Sequence, residues 1–348
     1  MTKEDPKIFC LTPVINEAWI LEDFIENAKL WSDYIVIVDH QSSDGSREIA
    51  KSHGEVIYVP YDHSGFDEPA RRRLLIETAR DIEPDSQRIL FAVDADEMLA
   101  PDPNTDSQAW SEIKKLPPGT TISVDWCLLS SDGERYLKES TNLVGYVDDG
   151  APFETKEIHG ARLPSGDAGG IFEWRDVNLL HLKLLDKERQ KSRLRWYQVW
   201  EYLNNNERNP VSLYRQYHRM DHVDEASWRR VPPAWRSKRN HTVWQGAADS
   251  DSQSVYWWDR EVLSLFEIHG VDRFRVIDVW GVDWRSKAET VGHDAEREDL
   301  SDPRRIADRI LHRYLKISQP YHDGHVVRRI DRLLIMLLST LGYGHSHS

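Results

Sequence analysis

The chain opens with short apolar runs separated by segments whose apolar residues recur every three or four positions. Lys7–Thr12 (KIFCLT) is apolar and ends at Pro13. Ile20, Leu21, Phe24, Ile25, Ala28 and Trp31 then repeat at helical spacing, with Asn16 placed to cap that helix. Tyr34–Val38 (YIVIV) is an unbroken β-branched run, the pattern of a strand buried on both faces of a parallel sheet. It breaks at the turn-rich stretch from Asp39 to Ser46, and a short helical pattern follows over Arg47–Ser52. Glu55–Val59 predicts a third strand and Glu68–Ala79 a helix. Arg88–Val93 (RILFAV) predicts a fourth strand that ends at Asp94-Ala-Asp-Glu97. This strand–helix alternation predicts an α/β fold with a parallel sheet covered on both faces.

Beyond residue 100 the alternation weakens. Thr121–Leu129 predicts a strand, and Asp132–Gly170 reads as loop-rich with scattered short strand candidates. A basic helical pattern runs from Glu188 to Tyr202, and a polar, Trp-containing stretch over 204–255 is broken at Pro232 and Pro233. Trp257–His269, Arg304–Leu315 and Val326–Leu338 predict helices. The expected organisation is a domain over 1–200 followed by a mainly helical region over 201–348.

Composition narrows the class. At 348 residues the chain is long enough to bury a core without disulfides or structural metals. Cys10 and Cys127 both sit in apolar runs, which predicts reduced core thiols in a reducing compartment rather than a disulfide scaffold. The first residues carry no apolar signal core. The longest apolar run, Leu333–Leu338, falls far short of the ~20 residues that span a bilayer. A cytoplasmic protein is the expectation. A formal charge of −14 disfavours nucleic acid as a partner. Fourteen tryptophans are present, ten of them between Trp174 and Trp284.

Polar groups gather where the predicted parallel strands end, the edge at which open α/β sheets bind ligands. They are Pro13, Asn16 and Glu17 after the first strand, Asp39, His40, Ser42 and Asp44 after the second, and Asp94, Asp96 and Glu97 after the fourth. Acidic clusters repel a phosphate unless a divalent cation intervenes, and hard oxygen ligands suit Mg²⁺ or Mn²⁺ holding a diphosphate. No G-x-x-x-x-G-K or G-x-G-x-x-G loop is present, so the P-loop and dinucleotide-binding readings lack support. Asp44 has a second reading as a helix cap, and Arg71, Arg72 and Arg73 as a solvated helix face.

These residues carry a resemblance. Pro13 to Glu17 (PVINE), the Asp39–Ser46 turn (DHQSSDGS), Ala70-Arg-Arg72 ahead of a helix and the D-x-D of Asp94 and Asp96 occur in the order seen in family 2 glycosyltransferases. The chain therefore resembles that family, whose GT-A fold is a Rossmann-like, mixed and mostly parallel sheet. The match covers residues 7–100 and loosens to about 200. It implies that Pro13, Asn16 and Glu17 line a nucleotide pocket, that Asp39 approaches the base and that Arg72 contacts the diphosphate. It further implies that Asp94 and Asp96 hold the metal and the sugar donor. The family commonly has a second Asp where this chain has His40; a neutral imidazole there could still accept a hydrogen bond from a base.

The resemblance also implies a carboxylate base some 50–100 residues after the D-x-D. Glu154, Glu157, Asp167, Glu173 and Asp176 are candidates, with Glu157 preferred and Glu173 next. His181 is either a core histidine or the residue that completes the metal site. The basic run from Lys183 to Arg195 is either a solvated face or a groove for the diphosphate or an anionic acceptor. The amphipathic, basic C-terminal helix would meet a membrane surface, a second subunit in a homodimer, or the main domain. The tryptophans fall where an acceptor would dock and would stack on its sugars, with many of them plain core. The implied function is a metal-dependent, inverting glycosyltransferase that moves sugar from a nucleotide-diphospho-sugar to a glycan, lipid-linked or small-molecule acceptor. The alternative is a catalytically inactive glycan- or nucleotide-sugar-binding module of the same fold.

Overall fold

The computed structural model describes residues 5–63, 65, 67–82, 84–155, 160–164, 169–205, 208–236, 256–292 and 300–340. The chain divides into two compact units, Met1–Leu185 with Trp228–Ala248, and Asp186–Ser227 with Asp249–Ser348.

The first unit is built on a mixed sheet of nine strands among the described residues. They are β1 (Lys7–Val14), β2 (Tyr34–Asp39), β3 (Val56–Pro60), β4 (Arg88–Ala92), β5 (Glu97–Ala100), β6 (Thr121–Leu129), β7 (Arg135–Val147), β8 (Ile171–His181) and β9 (Arg229–Arg230). The spatial order is β3-β2-β1-β4-β7-β6-β8-β5, with β9 beside β7. Strands β3, β2, β1 and β4 are parallel, β6 and β8 pair parallel, and β7 and β5 join antiparallel. Helices α1 (Ala18–Ala28), α2 (Ser46–Ser52), α3 (Glu68–Ile82) and α4 (Ser107–Ile113) belong to this unit.

The sheet is covered on both faces because its inner strands are apolar at every position, not at alternate ones. Ile8 and Cys10 of β1 face a core shared with Leu21, Phe24 and Ile25 of α1 and Trp110 of α4. Phe9 and Leu11 face the opposite core, with Leu75, Ile76 and Ala79 of α3. Burial pushes the Cys10 and Cys127 thiols up to about 12, so both are neutral, free core thiols.

One long strand departs from the expectation. The stretch 132–170, read as loop-rich, contains the 13-residue β7. Its first half is mostly polar and only partly buried, so it shows no apolar run, and its pairing with β6 holds it in the sheet.

The second unit contains α5 (Lys187–Asn204), α6 (Pro210–Tyr217), α7 (Trp257–His269), α8 (Trp284–Val291), α9 (Ile306–Ser318) and α10 (His325–Thr340). The expected break at residue 200 falls inside α5. Asp186, whose carboxylate accepts from the Arg189 N–H at the start of α5, begins the unit instead. Trp196 of α5 packs on Trp257, and Phe266 of α7 stacks on Trp280 and meets Trp284 edge-on. Arg215 ties the last helices together. It donates to both oxygens of Asp331 on α10 at 3.0 Å, and to the Leu315 carbonyl of α9 at 3.0 Å. Among the described residues no helix is long and apolar enough to cross a membrane.

Candidate functional site

The loops after β1 and β2 are knitted together by their own polar side chains. Asn16 was expected to cap α1. It adopts φ +55° instead, and its side-chain oxygen accepts from the Ser43 N–H at 2.7 Å. Asparagine tolerates that left-handed conformation better than most residues. The Asn16 N–H donates to Ser42 Oγ, and the Glu17 N–H to Ser46 Oγ. Asp44 takes the capping role, accepting from the N–H of Ala18, the first residue of α1, and from that of Ser46, the first residue of α2, both at 3.0 Å. Glu17 accepts from the Trp19 indole. Pro13 sits in β1, in register with Val38 of β2.

Asp39 ends β2 but is turned inward and nearly unexposed. It accepts from the Ser42 N–H at 3.2 Å and the Tyr58 hydroxyl at 2.7 Å, and Arg47 lies 3.5 Å away. Burial and the neighbouring Asp39 carboxylate push the Tyr58 hydroxyl up to about 12, which keeps it a donor. His40 is also buried. Its Nε2–H donates to the His63 carbonyl at 2.9 Å, and burial pushes the imidazole below its usual range against the raising effect of that bond. The neutral ring thus presents Nδ1 as an acceptor, and among the described residues that atom has no partner.

Two arginines pair with the acidic edge after β4. Arg72, buried on α3, donates from Nη2 to Asp94 Oδ1 at 2.7 Å and to Glu68 at 3.3 Å. Arg162 Nη2 lies 3.1 Å from Asp94 Oδ2 and donates to Glu97 Oε1 at 3.0 Å. Burial alone would raise the Asp94 carboxyl, but Arg162 and Arg72 hold it down at about 2. Glu97, fully buried, also accepts from the Asp94 N–H at 3.0 Å. Arg72 keeps Nε and Nη1 buried without an acceptor among the described residues, a supply of charged donors with nothing to receive them.

Asp94, expected as a metal ligand beside Asp96, meets two arginines. Each of its oxygens lies on a guanidinium nitrogen, which supplies the positive charge that a cation was expected to bring. Asp96 instead approaches His181, whose Nε2 lies 3.4 Å from Asp96 Oδ2. His181 ends β8, opposite Glu97 in the ladder, and stacks on Trp126 with ring centres 4.6 Å apart. Its Nδ1 is buried with no hydrogen-bond partner among the described residues.

Asp94, Asp96 and His181 do not bring three ligand atoms within 4.8 Å of one another; among the described residues Glu22, Glu26 and His53 do. Asp96 with His181 still suits a hard divalent ion, which commonly takes one or two protein ligands and completes its shell with phosphate oxygens and water.

The remaining expected residues scatter. Glu157, the preferred base, and Asp167 lie outside the described residues. Glu173 is exposed, bonded to Arg175 at 2.6 Å, and stands eight strand residues before His181, about 26 Å away along β8. In the basic run, several side chains are held by acids near them. Lys183 bonds Glu139, Lys191 bonds Glu188, and Arg195 is buried against Asp259 at 2.9 Å. Trp174, Trp196, Trp258, Trp280 and Trp284 are buried, so half of the clustered indoles serve packing, not an open sugar-stacking surface. Arg162 escaped the sequence reading. It stands in a loop without periodicity, 65 residues from Glu97, and the one hint was that three clustered carboxylates require a counter-charge.

No protein-family model matches the chain, and no curated protein matches it. Among solved structures it is similar to a protein provisionally assigned as a glucose-1-phosphate thymidylyltransferase, from Bacillus anthracis, solved in complex with a sucrose. The identity is 9% and the TM-score 0.24, over 51% of this chain and 72% of that one. A likeness of that size supports neither a fold assignment nor an activity.

Proposed function

We propose that the first unit binds a nucleotide-diphospho-sugar at the ends of β1, β2 and β4 and transfers the sugar, with inversion, to an acceptor hydroxyl. The observation that carries this reading is Arg72. A buried guanidinium at a strand-end carboxylate edge, with two nitrogens lacking acceptors among the described residues, is suited to a diphosphate. Arg162 adds a second positive charge within reach of the same carboxylate.

In this reading Arg72 and Arg162 stabilise the nucleoside diphosphate as its bond to the sugar's anomeric carbon breaks and negative charge builds on the leaving oxygen. The acceptor oxygen forms the new bond from the opposite side and gives its proton to a carboxylate, for which Glu157 remains our proposal. Asp96 and His181 would hold a divalent cation, Mn²⁺ or Mg²⁺. When bound, that ion supplies further charge to the diphosphate. His40 Nδ1 and the loop around Asp39 would face the base.

The test is a thermal-shift and calorimetric screen of nucleoside diphosphates with and without Mn²⁺, followed by turnover of the matching nucleotide sugar. Binding of one diphosphate, weakened at least tenfold in Arg72→Gln, is expected, and Asp96→Ala should retain the fold but abolish metal-dependent turnover. Absence of binding by every nucleoside diphosphate would overturn the proposal. Binding without turnover would reassign the unit as a binding module.

A further inference from the structure

The last two helices carry an apolar surface that the second unit does not use for its own core. Nine of the twelve large apolar side chains standing exposed among the described residues lie between Ile306 and Leu337. On α10, Val326, Ile330, Leu333 and Leu337 recur at four-, three- and four-residue spacing, which aligns them in one stripe. They are 39–72% exposed. A neighbouring stripe, with Leu334 and Leu338, packs instead on Val211 and Tyr214 of α6. Helix α9 repeats the pattern, with Ile306, Ile310 and Ile317 outward and Leu311 and Leu315 inward.

Charge decides what this surface fits. The chain as a whole is at −14, yet residues 301–340 hold eight Lys and Arg against four Asp and Glu. The four acids are engaged within the unit: Asp331 on Arg215, Asp308 on Arg275, Asp302 on Arg304 and Arg309, and Asp323 on Arg328. Two of the bases on α10 stand exposed. Arg329 and Arg332 flank the apolar stripe of α10, and among the described residues neither meets a carboxylate. A second copy paired through this stripe would bring arginine against arginine with no acid between them. An anionic bilayer surface offers the reverse: headgroup charge for the arginines and an acyl boundary for the leucines and isoleucines.

We propose that α10, supported by α9, docks the protein on an anionic membrane surface, lying in the plane of the interface with Val326, Ile330, Leu333 and Leu337 inserted. The docking is independent of the proposed transfer reaction. It would bring the enzyme to any acceptor carried by that bilayer.

The full chain is tested by co-sedimentation with phosphatidylcholine vesicles and with vesicles of phosphatidylcholine and phosphatidylglycerol at 7:3. Binding to the anionic vesicles, falling as salt is raised, is expected. Arg329→Gln combined with Arg332→Gln should weaken it about thirtyfold, from about 1 kcal/mol per basic residue. Leu333→Glu should abolish it, and because all three residues are exposed, circular dichroism should remain that of the wild type. Failure to bind either vesicle, or equal binding to neutral ones, would overturn the proposal. So would a dimer by light scattering that Leu333→Glu converts to monomer.

Discussion

Replacing Arg162 by alanine withdraws one guanidinium from two carboxylates. Glu97 is fully buried, and Asp94 is about a third exposed. Removing one partner of a buried pair costs about 3–5 kcal/mol, because the other charge is left uncompensated. Part of that is assignable to Asp94. Its carboxyl sits at about 2 in the fold, against about 3.9 in an unfolded chain.

A depressed carboxyl stabilises the fold above the unfolded value and loses that contribution as pH falls through the folded one, here between about pH 4 and 2. The full difference corresponds to about 2.6 kcal/mol, and with solvent screening at a third exposure about 1 kcal/mol is a fair share. The remainder belongs to Glu97. At about 2–4 °C per kcal/mol for a unit of this size, Arg162→Ala should melt about 10 °C below wild type at pH 7. The deficit should shrink as pH falls from 4 towards 2, where the wild type loses its own Asp94 contribution. Scanning calorimetry from pH 2.5 to 7 reads both effects. A midpoint within 2 °C of wild type at pH 7, or a deficit that does not change with pH, would refute the electrostatic account.

Three further outcomes are expected. Asp44→Ala removes the acceptor for the first N–H groups of α1 and α2, and urea unfolding should show a loss of about 1–2 kcal/mol. His218 is pulled down by burial but raised overall to about 9 by Asp221 and Asp278, at 2.8 and 3.2 Å. Its stabilisation is therefore complete below about pH 6.5 and disappears as pH rises through 9. The wild type should lose up to about 3 kcal/mol between pH 7 and 10 that His218→Gln does not lose, as followed by denaturant titration at each pH. Trp284→Ala should cost about 3–5 kcal/mol, because its indole is fully buried and donates to the Val279 carbonyl. An unchanged melting point would return that tryptophan to a surface role.

How much could be read in advance depended on how local each determinant was. Strands β1, β2 and β4 and helices α1 and α3 follow from apolar periodicity within a few residues, so their order and their two-faced burial were evident from the chain alone. The placing of Asp94 and Asp96 at a strand end was evident for the same reason. Strand β7 was not, because its polar half is held by pairing with β6, not by its own pattern.

The site divides in the same way. Sequence alone identified the acidic edge and led to the expectation of a divalent cation there; tertiary structure decided that Arg72 and Arg162 lie on Asp94 and that Asp96 faces His181. The tryptophan count was plain from composition, but whether an indole lies in a core or on a surface depends on which helices pack over it. Backbone pattern and composition are properties of neighbouring residues. Ion pairing and burial depend on residues that only folding brings within a few ångströms, and no spacing along the chain encodes a partner 65 positions away.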